Sequence, residues 1–194
     1  AAATVDVYVD GALAIPDFAF RTATPFIDLT ADVPITIDIA PGNSTDVGDS
    51  IYQLTTTLAS GETYVIVADG IVSASGYSPA PAFDLEVYDM GQEAAGDPAN
   101  TDVLVHHGST DAPTVDIVEV GVGAGTIVDN LTYTDFQGYL PLPTADYALE
   151  VRDETGTVTV AAYEAPLATL GLGGEALVAV ASGFLDPSVN SDGP

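Results

Sequence analysis

Residues 101–120 read TDVLVHHGSTDAPTVDIVEV, and this stretch decides the architecture. Val103-Leu104-Val105 is a short apolar run, and Val115, Ile117 and their neighbours form a second. Between them Gly108-Ser109-Thr110-Asp111-Ala112-Pro113 is dense in turn formers. Two strands joined by a turn are expected. Ala112-Pro113-Thr114-Val115-Asp116-Ile117-Val118 also echoes the start of the chain, Ala2-Ala3-Thr4-Val5-Asp6-Val7-Tyr8. The middle of the chain therefore opens a second copy of something begun near residue 1.

The repeat extends outward from that point. Gly61 to Gly70, GETYVIVADG, matches Gly174 to Gly183, GEALVAVASG, at an offset of 113. Thr4 and Thr114 stand at an offset of 110. Three extra residues therefore enter the second copy early, and the Gly121–Gly125 turn, longer than Asp10-Gly11, accommodates them. Phe18-Ala19-Phe20 aligns with Leu131-Thr132-Tyr133, and Phe26-Ile27-Asp28-Leu29 with Tyr139-Leu140-Pro141-Leu142.

Alternation predicts strands at Thr4–Val9, Ile35–Ile39 and Phe83–Tyr88. Ile51–Leu58 is another. Phe18 to Leu29 reads as two short strands or one bent strand. Tyr64–Ala68 is nearly all apolar, the pattern of a central strand covered on both faces. No stretch carries helical periodicity with caps at both ends. The expected fold class is all-β: two tandem immunoglobulin-like antiparallel β-sandwich domains, each of about seven strands. The expected division is a first copy at 1–91, a linker at 92–100 and a second copy at 101–194.

The composition narrows the function classes. Two basic residues, Arg21 and Arg152, stand against 29 acidic ones, for a formal net charge of −27. Such a surface repels nucleic acid and anionic lipid. It suits a saline or calcium-bearing medium, where charge is screened. Cys is absent, so neither disulfides nor thiol chemistry contribute. No apolar run is long enough for a membrane span. No signal segment opens the sequence, and the Ala1-Ala2-Ala3 start reads as processed or cropped.

The block His107-x-Ser109-x-Asp111-Ala112-Pro113-x-Val115-Asp116 resembles the signature of a bacterial secreted family catalogued as a domain of unknown function. Leu142-Pro143 and Tyr147 resemble its next element, with Thr144-Ala145-Asp146 in place of the usual glycine turn. Phe83 to Gly91 and the signature block look like surface proteins of Bacteroidota. The resemblance implies a fold and an extracellular, cell-surface address, and it implies no activity.

His106 and His107 are the only histidines, and adjacent strand residues face opposite ways, so they do not suit one metal. One is expected near the core, bonded to the turn, and the other exposed. Ser109 and Asp111 beside His107 lack the nucleophile elbow of a hydrolase. Carboxylate pairs for glycoside hydrolysis arise by chance among so many acids. Candidate Ca²⁺ ligands are Asp10, Asp46, Asp49, Asp153 and Glu154; no EF-hand spacing joins them, and solvated loop charge is the simpler reading. Candidate glycosylation positions are Ser50, in an Asp-Ser-aliphatic pattern, and Asn43 and Asn130, in Asn-x-Ser/Thr patterns. Tyr77 and Phe184 are expected as exposed aromatics of equivalent loops.

The expected function is a structural or adhesive extracellular module, not an enzyme, with no required cofactor. The alternative is a carbohydrate- or calcium-binding accessory module of a larger secreted protein. The repeat frame adds one point. Copy one continues into Phe83, Leu85 and Val87, for which copy two has no equivalent. Copy two is preceded by Val103 and Val105, for which copy one has none. Either the ends are cropped, or these segments are exchanged between neighbours, giving a head-to-tail homopolymer through β-strand addition.

Overall fold

A computed structural model describes residues 4–73 and 75–190. The repeat match at Ala2-Ala3 lies outside them. The described residues hold thirteen strands and two single-turn 3-10 helices, and no α-helix. The fold is all-β with several antiparallel sheets. The chain divides into two compact units, one formed by residues 1–91 with 187–194 and the other by 92–186.

Unit 1 contains β1 (Val5–Val9), β2 (Ala12–Phe18), β3 (Pro34–Pro41), β4 (Tyr52–Thr57), β5 (Val65–Asp69) and β6 (Asp84–Tyr88). Its first sheet has the order β2-β1-β3-β4, and β5 pairs with β6 in a second. Val7, Ile35, Ile37, Ile39, Leu58 and Leu85 form the core, with Tyr64, Ile66 and Phe83 packed against it. Alternation explains this directly. Ile35, Ile37 and Ile39 share one face of β3, and burying each stabilises by about 1.5–3 kcal/mol.

Unit 2 contains β7 (Asn100–His107), β8 (Val115–Glu119), β9 (Gly125–Leu131), β10 (Phe136–Pro143), β11 (Asp146–Asp153), β12 (Thr159–Pro166) and β13 (Ala176–Ala181). One sheet has the order β12-β11-β8-β9, the other β10-β7-β13. All pairs are antiparallel except β13 with β7, which run parallel. Val115, Val128 and Leu131 centre the core, with Val105, Ile117 and Val151 against them.

The two units share one piece of local geometry. Asp17 and Asn130, at an offset of 113, both have positive φ, 52° and 55°. Each donates its N–H to an aspartate one strand away: Asp17 to Asp6 Oδ1 at 2.9 Å, Asn130 to Asp116 Oδ1 at 2.8 Å. The pairing register shifts at the same place in both copies, between Val5 and Val7 and between Val115 and Ile117. An irregularity of this kind bends the strand and leaves an N–H outside the ladder. The aspartate side chain accepts it.

Several local expectations change. Residues 19–33 form no strand, whereas their counterpart in unit 2 is β10. β10 pairs with β7, and among the described residues no strand of unit 1 pairs with residues 19–33. Among the described residues β5 pairs with β6 alone, so it does not stand as a central strand. Residues 92–100 are not a free linker. Ala95 N donates to Gly174 O, Gly96 N to the Asp102 carboxylate, and β7 begins at Asn100. Residues 187–190 leave the second copy for unit 1, where Ser78 N donates to Asn190 Oδ1 at 3.0 Å.

Candidate functional site

The 107–113 turn connects β7 to β8, and its side chains bond to its own backbone and to that of the loop after β13. His107 Nδ1 lies 3.3 Å from Ser109 N and accepts from it, so the proton sits on Nε2, which donates to Pro113 O at 3.0 Å. Ser109 Oγ donates to Gly183 O at 3.0 Å and to Asp111 Oδ1 at 3.4 Å. Asp111 accepts from Leu185 N at 2.7 Å and from Asp186 N at 2.8 Å. The block therefore stitches the β7–β8 turn to the loop that follows β13. Both His107 nitrogens are committed to backbone, so the ring is not placed to activate Ser109 as a nucleophile.

The two histidines do face opposite ways, but neither is exposed. His106 is 0% and His107 1% accessible. β7 is the middle strand of its sheet, and residues on both of its faces are buried. His106 stacks on Phe136 with ring centroids 4.2 Å apart. His107 meets the Tyr133 ring edge-on at 6.3 Å.

The candidate Ca²⁺ ligands are dispersed over two units, and each bonded one accepts from N–H or hydroxyl groups of its own unit. Asp10, at φ 49°, accepts from Thr36 N at 2.9 Å. Asp46 caps a 3-10 turn through Gly48 N at 2.7 Å, and Asp49 accepts from Thr45 N at 2.8 Å. Asp153 accepts from Thr155 Oγ1, Thr157 N and Val158 N, and Glu154 is exposed. Among the described residues no group of three or more His, Asp or Glu is arranged to hold a metal ion.

Ser50 is half-buried, and its hydroxyl donates to Tyr52 O at 2.8 Å and Ile39 O at 3.2 Å. It lines an open concavity with Asp38, Val47, Ile51, Tyr52 and Gln53. Asp38 is already satisfied there by Gln53 Nε2 at 2.8 Å. Asn43 and Asn130 are exposed. Tyr77 and Phe184 are half-buried rather than exposed. Leu85 sits in the unit 1 core with Phe83 against it, while Val87 is exposed on β6. Val103 and Val105 lie on β7, paired within unit 2. The segments expected to be exchanged are thus each paired inside their own unit.

Sequence reasoning missed Glu119, a heavily bonded carboxylate. It is 2% exposed and accepts from the N–H groups of Gly121, Val122, Gly123 and Ala124 at 2.7–3.1 Å. Burial pushes its pKa up, but the N–H groups of Val122, Ala124 and Gly121 outweigh it and hold the group below the usual glutamate value. The legible clue was an acid immediately before the longer glycine-rich turn.

This geometry coincides with a family match. Residues 101–189 match a domain of unknown function, DUF4397. The matched span begins in β7 and ends in the last 3-10 turn, Pro187–Val189, so the DUF4397 region contains the whole signature turn. No curated protein matches the chain, and no solved structure matches it. No helix among the described residues is long and apolar enough to cross a membrane.

Proposed function

We propose that the chain is a structural or adhesive module of an extracellular bacterial surface, built from two tandem immunoglobulin-like sandwiches. The observation that carries this reading is how the side chains of the 107–113 block, within the region that matches DUF4397, are used. His107, Ser109 and Asp111 all bond to backbone of their own unit. The most distinctive motif thus works as a fastener between two loops. The net charge of −27 supports a saline or calcium-bearing setting for such a module. In its extended form the reading makes the chain a subunit of a head-to-tail filament joined by strand complementation.

The test is a broad panel of polysaccharide and ester substrates, with calorimetry against Ca²⁺ and a glycan array alongside. No turnover and no tight ligand is the expected result. Robust hydrolysis abolished by one carboxylate-to-amide change would sink the structural reading. Micromolar binding at a single loop would replace it with an accessory binding module.

A further inference from the structure

The two copies treat one outward-facing acid differently. On β3, Ile37 and Ile39 face the core, so Asp38 between them faces away from it. Asp38 pairs with Tyr8 on β1, and Glu150 pairs with Val118 on β8. Tyr8 and Val118 stand at the offset of 110, so Asp38 and Glu150 are counterparts. Glu150 is answered by an arginine two residues on: Arg152 Nε and Nη2 each lie 2.8 Å from Glu150 Oε2. In the first copy the residue in that place is Ala40.

Asp38 therefore has no cation of its own. It is 3% exposed, and its side-chain hydrogen-bond partners are neutral. Gln53 Nε2 satisfies Oδ1 alone, at 2.8 Å. Ser50 Oγ lies 3.3 Å from the same oxygen, but its proton goes to Tyr52 O at 2.8 Å. Among the described residues Oδ2 accepts no hydrogen bond, which is costly for a carboxylate so deeply placed. The group lines the open concavity beside Ser50 and Gln53, about 440 Å³ in volume, whose apolar walls are Val47 and Ile51. A second concavity of about 180 Å³ adjoins it, sharing Ile51 and Tyr52 and adding Ile71, Val72 and Phe83. Tyr52 is fixed between the two. Its ring meets Phe83 edge-on at 5.1 Å, and its hydroxyl donates to Asp84. Ile51 and Val72 are 48% and 62% exposed.

We propose that these adjoining concavities bind a segment of a partner protein that presents an arginine beside an apolar residue. The guanidinium enters the first concavity and donates to Asp38 Oδ2, a charge-assisted bond of the kind Arg152 makes to Glu150. Its methylene stem lies along Val47 and Ile51. The neighbouring apolar side chain takes the second concavity, against Val72 and Phe83. The partner is a basic protein of another kind, because chains of net charge −27 repel one another and attract cationic surfaces. A bare metal ion takes oxygen ligands and makes no use of the apolar walls. The proposal deepens the adhesive side of the function above, naming what is adhered to, and rests on that reading.

The experiment titrates the capped peptide Ala-Arg-Leu-Ala into the isotope-labelled full chain and follows backbone amide shifts. The control is the same peptide with citrulline, a neutral isostere, in place of arginine. Both are run at physiological ionic strength and at about 1 M, where a Debye length of about 3 Å screens diffuse attraction to the acidic surface. Saturable one-to-one shifts are expected at residues 47–53, 71–72 and 82–83, persisting at high salt. The citrulline peptide should bind roughly tenfold or more weakly. Asp38→Asn, which keeps an oxygen for Gln53, should weaken the arginine peptide by a similar factor, whereas Glu154→Gln removes an exposed charge and should leave binding unchanged. The citrulline comparison uses the native chain, so it decides even if Asp38→Asn does not fold. No saturable shifts, shifts spread over the acidic surface and lost at 1 M salt, equal binding of the citrulline peptide, or indifference to Asp38→Asn each overturn the site. Such a failure removes the arginine site alone, since the structural or adhesive reading falls only on turnover in the substrate panel or a tight ligand in the calorimetry and glycan array.

Discussion

Asn130 donates its N–H to the Asp116 carboxylate at 2.8 Å while holding φ at 55°. Asp17 and Asp6 repeat the relationship in the first copy. Left-handed backbone is tolerated by Asn and Asp and costs a β-branched residue about 1–2 kcal/mol. Asn130→Val and Asp17→Val should each destabilise their unit by about that amount. The glycine variants should be neutral or slightly stabilising. Urea unfolding checks this, and equal responses at the two positions would establish that the irregularities are the same device.

Glu119 should matter more than any exposed acid. Glu119→Gln replaces one acceptor oxygen with an NH₂ that faces backbone donors, so the wrapped turn from Gly121 to Ala124 loses part of its bonding. Its melting temperature should fall clearly below that of Glu154→Gln, which alters an exposed side chain of a turn. Equal melting temperatures would show that the Glu119 contacts contribute nothing net.

The pH response follows from the depressed carboxylates. A hydroxyl from Ser44 holds Asp6 below 3.8, the Thr45 N–H does so for Asp49, the Thr169 hydroxyl for Asp146 and the Val158 N–H for Asp153. The Thr159 hydroxyl, with Arg152, holds Glu150 below 4.5. These groups bind protons more readily in the unfolded chain. Their stabilisation is complete above the ordinary carboxylate range and is lost as pH falls through the lowered values. Partial neutralisation of the net charge acts in the opposite direction. Stability should hold or rise from neutral pH down to about 5 and then drop below about 4. A melting temperature that falls steadily from pH 7 would contradict this.

The strands were legible where alternation is strict, as at Ile35–Ile39 and Asp84–Tyr88. The three-residue insertion was also legible, and Glu119 wraps the turn it lengthens. What sequence could not supply was pairing. Tyr64–Ala68 and Phe26–Leu29 carry strand-like composition, but whether such a segment is central, edge or irregular depends on a neighbour that is distant in sequence. The histidines failed for the same reason. Alternation assigns opposite faces, but only the position of β7 between two strands, buried on both faces, hides both rings.

Salt should stabilise the protein. Raising ionic strength from physiological to 1 M shortens the Debye length from about 8 Å to about 3 Å, which screens repulsion among the 29 acidic residues. The melting temperature should climb steeply with NaCl and with CaCl₂. A flat profile would remove the argument for a saline setting.

The most direct measurement is amide hydrogen exchange at Leu185 and Asp186, whose N–H groups bond to Asp111. If the signature block is a fastener, both amides exchange slowly in the native chain. In Asp111→Ala both become fast, and stability falls by about 1–3 kcal/mol. Unprotected exchange in the native chain, or protection unchanged in Asp111→Ala, would contradict the structural role of the block.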